Sequence, residues 1–534
     1  MKNLTSLTLA VLLLAPLATL HAAETKRGQS PKTASTPFDT ATARAHQDAW
    51  AGANEPTVYP PLPNGQFQSD RYVVSIYQGG KSHASFVYRD PNNDPRWLTQ
   101  WPSDEKLMTA ENHFTTFSFS GLVEVQIKLP LRTNIASVVV RPLKKRLEAT
   151  IRGNTICLLL NEPANLFVEV EGEKRHPLFV FANPPEVNIP SPSDPHVLYF
   201  GPGIHDVGLS NGPAQNIDVG KTVYLAGGAY VKGVLKTTGA PGTTTIRGRG
   251  ILSGIDIPGK HAYHGMIEAR RCALHVEGII LLDAPQGYQG IIAYGKGATL
   301  ENVKMLAWAM ESDSGVLGPH SRITNCFFKI NDDVLKPIQP GMLFQNNVVW
   351  QQMCGSAIML GWNSIEHGIN ATVSGLDIIG CDRGVKTRAD VTSQAIVSLK
   401  NSNGATYTGM TIENIRLEKP AYMLFGLSIK QTDHGWTDDP LYNGGLGCVD
   451  GLIFRNITTL QVPARISEFN GNGNVTSSSS GDIKNITFEN IQIAGTMVTA
   501  TNAAKYIVQR GKTSGFRYIV SRRLASEKSA DSTQ

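Results

Sequence analysis

The sequence predicts an all-β protein, an N-terminal β-sandwich leading into a parallel β-helix. Three observations carry that prediction. At 534 residues the chain exceeds the size of a single hydrophobic core. Residues 69–186 hold short runs in which apolar and polar side chains alternate. From residue 187 onward one five-residue phrase keeps returning.

The elements follow in order. The opening MKNLTSLTLAVLLLAPLATLHAAET sets a lysine before an apolar run and small residues, the pattern of a signal peptide cleaved after Ala22 or Ala23. No later apolar run is long enough to cross a bilayer. Residues 1–23 therefore predict export, to a periplasm or the medium, with no membrane partner. Residues 24–68 are polar and rich in proline and alanine, and predict an arm with little regular structure. Residues 69–186 contain YVVSIY, SFVYR, FTTFSF, VEVQIKL, FVEVEG and PLFVFA. Alternation over such lengths predicts half-buried antiparallel strands in a compact sandwich. NPPEVNIPSPSDP, Asn183 to Pro195, reads as a proline-rich linker.

The β-helix is predicted over residues 187–500. Its phrase appears as VEGII, LENVK, ITNCF, FQNNV, VSGLD, IENIR, FRNIT and FENIQ, always with Asn or Gly third. Those residues tolerate a left-handed backbone. Gly278, Asn302, Asn325 and Asn346 stand 24, 23 and 21 residues apart. A coil of that length with one obligatory bend is the mark of a parallel β-helix, each coil stacking on the last at about 4.8 Å. Asparagines at the shared bend then form a ladder. Leucine-rich repeats also place Asn once per coil, but their dense leucine spacing is missing. YLAGGAYVKGVL and TTIRGRGILSG are expected to form the first coils, and residues 501–534 a C-terminal extension.

Composition narrows the function. A net charge of +5 and the lack of a zinc finger, helix-turn-helix or dense basic stripe argue against nucleic acid. Six cysteines without a CxxC pair suggest buried thiols rather than a disulfide framework or zinc site. No nucleotide-binding glycine loop or metal-ligand cluster is apparent, so neither cofactor nor metal is expected. A monomer acting on an extracellular polysaccharide fits these features.

FKINDDVLK, Phe328 to Lys336, sets Asp332 and Asp333 side by side after a strand-like run. Asp313 lies eleven residues past Asn302, and the pair lies seven and eight past Asn325. Allowing a small insertion, adjacent coils therefore carry all three to one outer face. Three crowded carboxylates cannot all ionise easily, so at least one pKa rises. A raised acid beside an ionised carboxylate is what glycoside cleavage needs. For inversion the carboxyls stand roughly 6.5–9.5 Å apart. Alternation would point neighbours to opposite faces, so the pair is expected at a strand end or bulge. The same residue type also binds calcium or caps turns.

The stretch ESDSGVLGPHSRITNCFFKINDDVLK resembles the catalytic core of glycoside hydrolase family 49, the dextranases and isopullulanases. Asp313, Asp332, Asp333 and Lys336 match its lone Asp, its NDD about nineteen residues on, and the Lys beyond. MLGWN, Met359 to Asn363, and CDRGVK, Cys381 to Lys386, resemble its segments one and two coils later. The resemblance implies a sandwich followed by a right-handed parallel β-helix. It implies inverting hydrolysis with Asp332 as acid and Asp313 and Asp333 managing the water. Trp362 is then a sugar platform. Arg383 and Lys386 bind sugar hydroxyls or balance the carboxylates, and Lys336 joins them. Asn331 orients a carboxylate or favours the turn. A related polygalacturonase family shares such a triad but expects Gly-His-Gly in the next coil, where this chain reads GWN. A dextran-like α-glucan is the first expected substrate. A polygalacturonase-like hydrolase, a calcium-dependent lyase and a non-catalytic glycan-binding β-helix stay open.

Overall fold

The computed structural model describes residues 55–92, 109–207, 215–237, 239, 241–257, 264–361, 366–382, 395–400, 404–429, 446–472 and 481–521. The expected signal segment, 1–23, lies outside these residues. No helix among the described residues is long and apolar enough to cross a membrane.

All six alternating runs form strands, in two sheets. One sheet is antiparallel, in the order Lys81–Ser85, Val73–Gln78, Val123–Lys128, Thr155–Leu160, Ala149–Arg152. Val123, Val125 and Ile127 point into the core while Glu124, Gln126 and Lys128 point away. The other runs Thr57–Val58, Glu111–Ser118, Leu178–Asn183, Ala164–Val170, Val138–Arg141, with Val87–Pro91 also on Glu111–Ser118.

In this second sheet alternation fails as a guide to exposure, because Leu178–Asn183 is buried along its whole length. Its outer face carries Phe114, Phe167, Phe179 and Phe181 against Ile280, Leu306, Phe327 and Trp350 of the β-helix. Phe179 and Phe327 lie 5.0 Å apart, centroid to centroid. Such pairs add about 0.5–1.5 kcal/mol each beyond their buried area.

The end of the expected unstructured arm is ordered instead. Thr57–Val58 pairs with Glu111–Ser118, and Tyr59 and Leu62 are buried. Their side chains gain burial where Gly227 leaves room: a Cβ there would meet the Tyr59 ring at 2.0 Å.

Beyond the linker, parallel strands stack coil on coil in a 19-stranded sheet, flanked by sheets of five, five and four strands. The first residues of the eight phrases form a single column: Val276, Leu300, Ile323, Phe344, Val373, Ile412, Phe454 and Phe488 pair in that order. All eight are buried. Every third residue bends left-handed, with φ from 52° at Asn456 to 79° at Gly278. The expected asparagine ladder forms over three coils, Asn490 donating to Asn456 at 3.0 Å and Asn456 to Asn414 at 3.1 Å. At the Gly375 coil the ladder leaves asparagine, and Asn414 donates instead to Ser374 Oγ at 3.2 Å.

Two expectations are corrected here. The stack begins one coil before YLAGGAYVKGVL, since Val197–Phe200 pairs with Thr222–Leu225. It also continues past residue 500, since Arg517–Ile519 pairs with Thr487–Glu489. All six cysteines are free thiols, four of them buried.

Phe454 packs 4.3 Å from Phe425 and 5.4 Å from Phe488, ring centre to ring centre. Removing a ring from such a column leaves a cavity the backbone ladder cannot close. Phe454→Ala is expected to lose about 3–5 kcal/mol, read from the denaturant midpoint of unfolding.

Candidate active site

One outer face of the β-helix is built from two five-stranded sheets. The first ends at Gly315–Leu317, and the second begins at Ile358–Gly361. Between them the coil at residues 331–336 keeps only the bridge Leu335 to Ile358. The aspartates sit in that interruption. Asp332 and Asp333 follow the strand Phe327–Ile330 in a bend, so alternation no longer separates them.

The bend is held from beneath. Asn331 is fully buried; its amide donates to the Trp308 carbonyl at 2.9 Å, and its Oδ1 accepts from Cys354 N at 3.0 Å. One side chain thus ties three consecutive coils. Asp332 Oδ1 accepts from Asp333 N at 2.9 Å, which fixes the turn locally. Gly355, at φ 68°, lets the next coil approach: a Cβ there would lie 2.3 Å from Asp332 C and Asp333 N.

The three carboxylates converge. Ser314 N donates to Asp333 O at 3.1 Å, which places Asp313 on the rung beside Asp333. One oxygen from each of Asp313, Asp332 and Asp333 lies within 4.8 Å of the others. Oxygens this close follow from coils that stack their aspartates directly at the inter-strand step of about 4.8 Å.

Their surroundings differ. Asp333 is buried, and its Oδ1 accepts from Ser356 N at 3.0 Å. Asp313 pairs with Lys336, whose ammonium also donates to Gln289 Oε1 at 2.9 Å. Asp332 is half-buried. Burial pushes its carboxyl well above the usual range, and the charges of Asp313 and Asp333 push it the same way. Lys336 and a contact from Cys354 oppose them without prevailing. The arrangement therefore favours the protonated form of Asp332 beside Asp313 and its lysine partner, the separation of roles that acid–base chemistry needs.

Lys336, expected to bind substrate, is buried and turned inward onto Asp313 and Gln289. Asn331 likewise acts on the backbone beneath the site. Trp362, Arg383 and Lys386 lie outside the described residues. Sequence reading passed over Gln289, Gly355 and Ser356. Gln289 stands 24 residues before Asp313, a coil spacing already visible in the repeat.

No protein-family model matches the chain. Over 241 residues it is 27% identical to the dextranase of Arthrobacter sp. (strain CB-8) and 27% identical to that of Arthrobacter globiformis. Those matches cover 38% of this chain and only 37% of each dextranase. In fold it resembles Dex49A from Penicillium minioluteum, with a TM-score of 0.62 at 17% identity, covering 87% of this chain and 96% of that one. The chain is thus similar in sequence, over part of its length, to two dextranases, and its fold is a sandwich followed by a parallel β-helix.

Proposed function

We propose that this protein is an exported glycoside hydrolase that cleaves an α-linked polysaccharide, dextran-like glucan first, with inversion at the anomeric carbon. The observation that carries the reading is the convergence of Asp313, Asp332 and Asp333, with the Asp332 carboxyl raised by burial and by its two acidic neighbours. Likeness to the dextranases supports the substrate class. The signal-like start supports export.

Asp332 donates its proton to the leaving glycosidic oxygen. Asp313 and Asp333 together cradle a water and accept its proton; a cluster this tight titrates as a unit. Lys336 holds Asp313 and Ser356 N holds the buried Asp333. Inversion is the outcome that the resemblance to glycoside hydrolase family 49 supports.

Incubation with dextran, pullulan, polygalacturonate and a sulfated galactan, with and without chelator, tests the reading. New reducing ends from dextran, insensitive to chelator, are expected. Chelator-sensitive unsaturated products would instead mark a calcium-dependent lyase using the same three carboxylates. Proton NMR of the first product is expected to show the β-anomer; the α-anomer would mean retention. The pH profile should fall on the alkaline side as Asp332, its carboxyl raised by burial and by its acidic neighbours, loses its proton.

A further inference from the structure

The β-sandwich holds a second set of converging ligands. Glu111 and His113 are alternate residues at the start of the strand Glu111–Ser118, so they share a face. This strand runs parallel to Leu178–Asn183, with His113 opposite Leu178. His176 lies in the turn just before that partner. Ala110 N and Glu111 N both donate to Arg175 O, at 2.7 and 3.1 Å, which fixes the turn against the strand.

The side chains meet at one oxygen. Glu111 Oε2 is 3.3 Å from His113 Nε2 and 3.2 Å from His176 Nδ1. His113 is completely buried, yet its Nε2 makes no hydrogen bond of acceptable geometry. Its Nδ1 is engaged by Ser69 Oγ at 2.9 Å, and Tyr72 packs its ring edge-on at 5.2 Å. The imidazole is thus oriented with an unsatisfied nitrogen facing the carboxylate. Arg89 grips the opposite oxygen, Oε1, from Nε at 2.8 Å and Nη2 at 2.5 Å. That leaves Oε2 to the two histidines and to Arg71, whose Nε is 3.6 Å away.

We propose that Glu111 Oε2, His113 Nε2 and His176 Nδ1 bind one divalent transition-metal ion, zinc first, which clips the strand Glu111–Ser118 to the turn before Leu178–Asn183. Two imidazoles and a carboxylate are a zinc-type donor set and too nitrogen-rich for calcium. A tetrahedral zinc with bonds of about 2.0–2.1 Å has ligand edges of about 3.3–3.4 Å, matching the two separations at Glu111. Ser69 stands behind His113 as the hydrogen-bonding partner that metal-bound histidines usually have. Arg71 opposes the ion by charge and moderates its affinity; its side chain is partly exposed and free to move outward.

Full-length protein carrying Asp332→Asn, which disrupts the carboxylate cluster of the β-helix, is stripped with chelator. It is then dialysed against zinc or, separately, calcium. About one zinc per chain, no retained calcium and a higher melting temperature with zinc are expected, together with the visible bands of tetrahedral cobalt on substitution. His176→Gln, in a turn and half-buried, should weaken zinc binding at least tenfold, and Ser69→Ala by about 10–100-fold. Less than a tenth of an equivalent of zinc retained, or zinc retained equally after His176→Gln and His113→Gln, would overturn the proposal.

Discussion

Asp332→Asn should lower kcat on a polysaccharide by about 10²–10⁴-fold, the usual worth of a general acid. KM should change far less, since the amide keeps the shape of the carboxyl. A 4-nitrophenyl glycoside separates the roles further. Its leaving group departs without protonation, so Asp332→Asn should retain most activity on it, whereas Asp313→Asn and Asp333→Asn should not. Equal losses on both substrates for all three variants would remove the assignment of Asp332 as the acid.

The same variant should be more stable at neutral pH. Burial and the neighbouring carboxylates raise the folded pKa of Asp332 above its unfolded value. Linkage then has a definite sign: stability from the protonated group is fully present below the unfolded pKa and is lost as pH rises through the folded one. Asparagine escapes that loss. Its melting temperature should exceed wild type at pH 7, with the advantage disappearing at about pH 3, below the ordinary aspartate range. A variant both inactive and more stable at pH 7 fits strain held for function.

Gly355→Ala is the second large effect. The new methyl would sit 2.3 Å from Asp332 C and Asp333 N and 2.6 Å from Asp332 Oδ1. A left-handed non-glycine residue adds about 1–2 kcal/mol, and overpacking adds about 1–3 kcal/mol. The neighbours that must yield are the Asp332–Asp333 bend itself. A shift of about 1 Å there should reduce kcat about 100-fold. Gly297→Ala is the control, since its φ is 77° but no atom lies within 4 Å of the added carbon. It should share the backbone strain and keep full activity.

Much of this was legible because the repeat is written in residue types with a backbone meaning. An Asn or Gly at the third place of each phrase needs no tertiary context to mark a bend, and all eight positions bend as read. The aspartate cluster was legible for the same reason, since counting from Asn325 and Asn302, with a small insertion allowed, carries both coils to one face. Partnership was harder. Lys336 reads as a surface cation until the rung holding Asp313 and Gln289 is known. Asn331 reads as a turn residue until Trp308 and Cys354 are seen on either side. Lys304 and Lys329, both fully buried, carry no local sign of burial. Lys304 is held by Asn183 and Asn302, and Lys329 sits 4.3 Å from the Trp308 ring.

The column from Val276 to Phe488 has a further consequence. Successive bends are separated by as few as 21 residues and, between Asn414 and Asn456, by as many as 42, yet the phrases still stack in register. Extra length is therefore spent away from the seam, where doubling a loop costs only about 0.6 kcal/mol. The seam works as a chassis and the intervening lengths as interchangeable fittings. Exchanging whole loops between relatives, cut at the bend asparagines, should leave the stack intact.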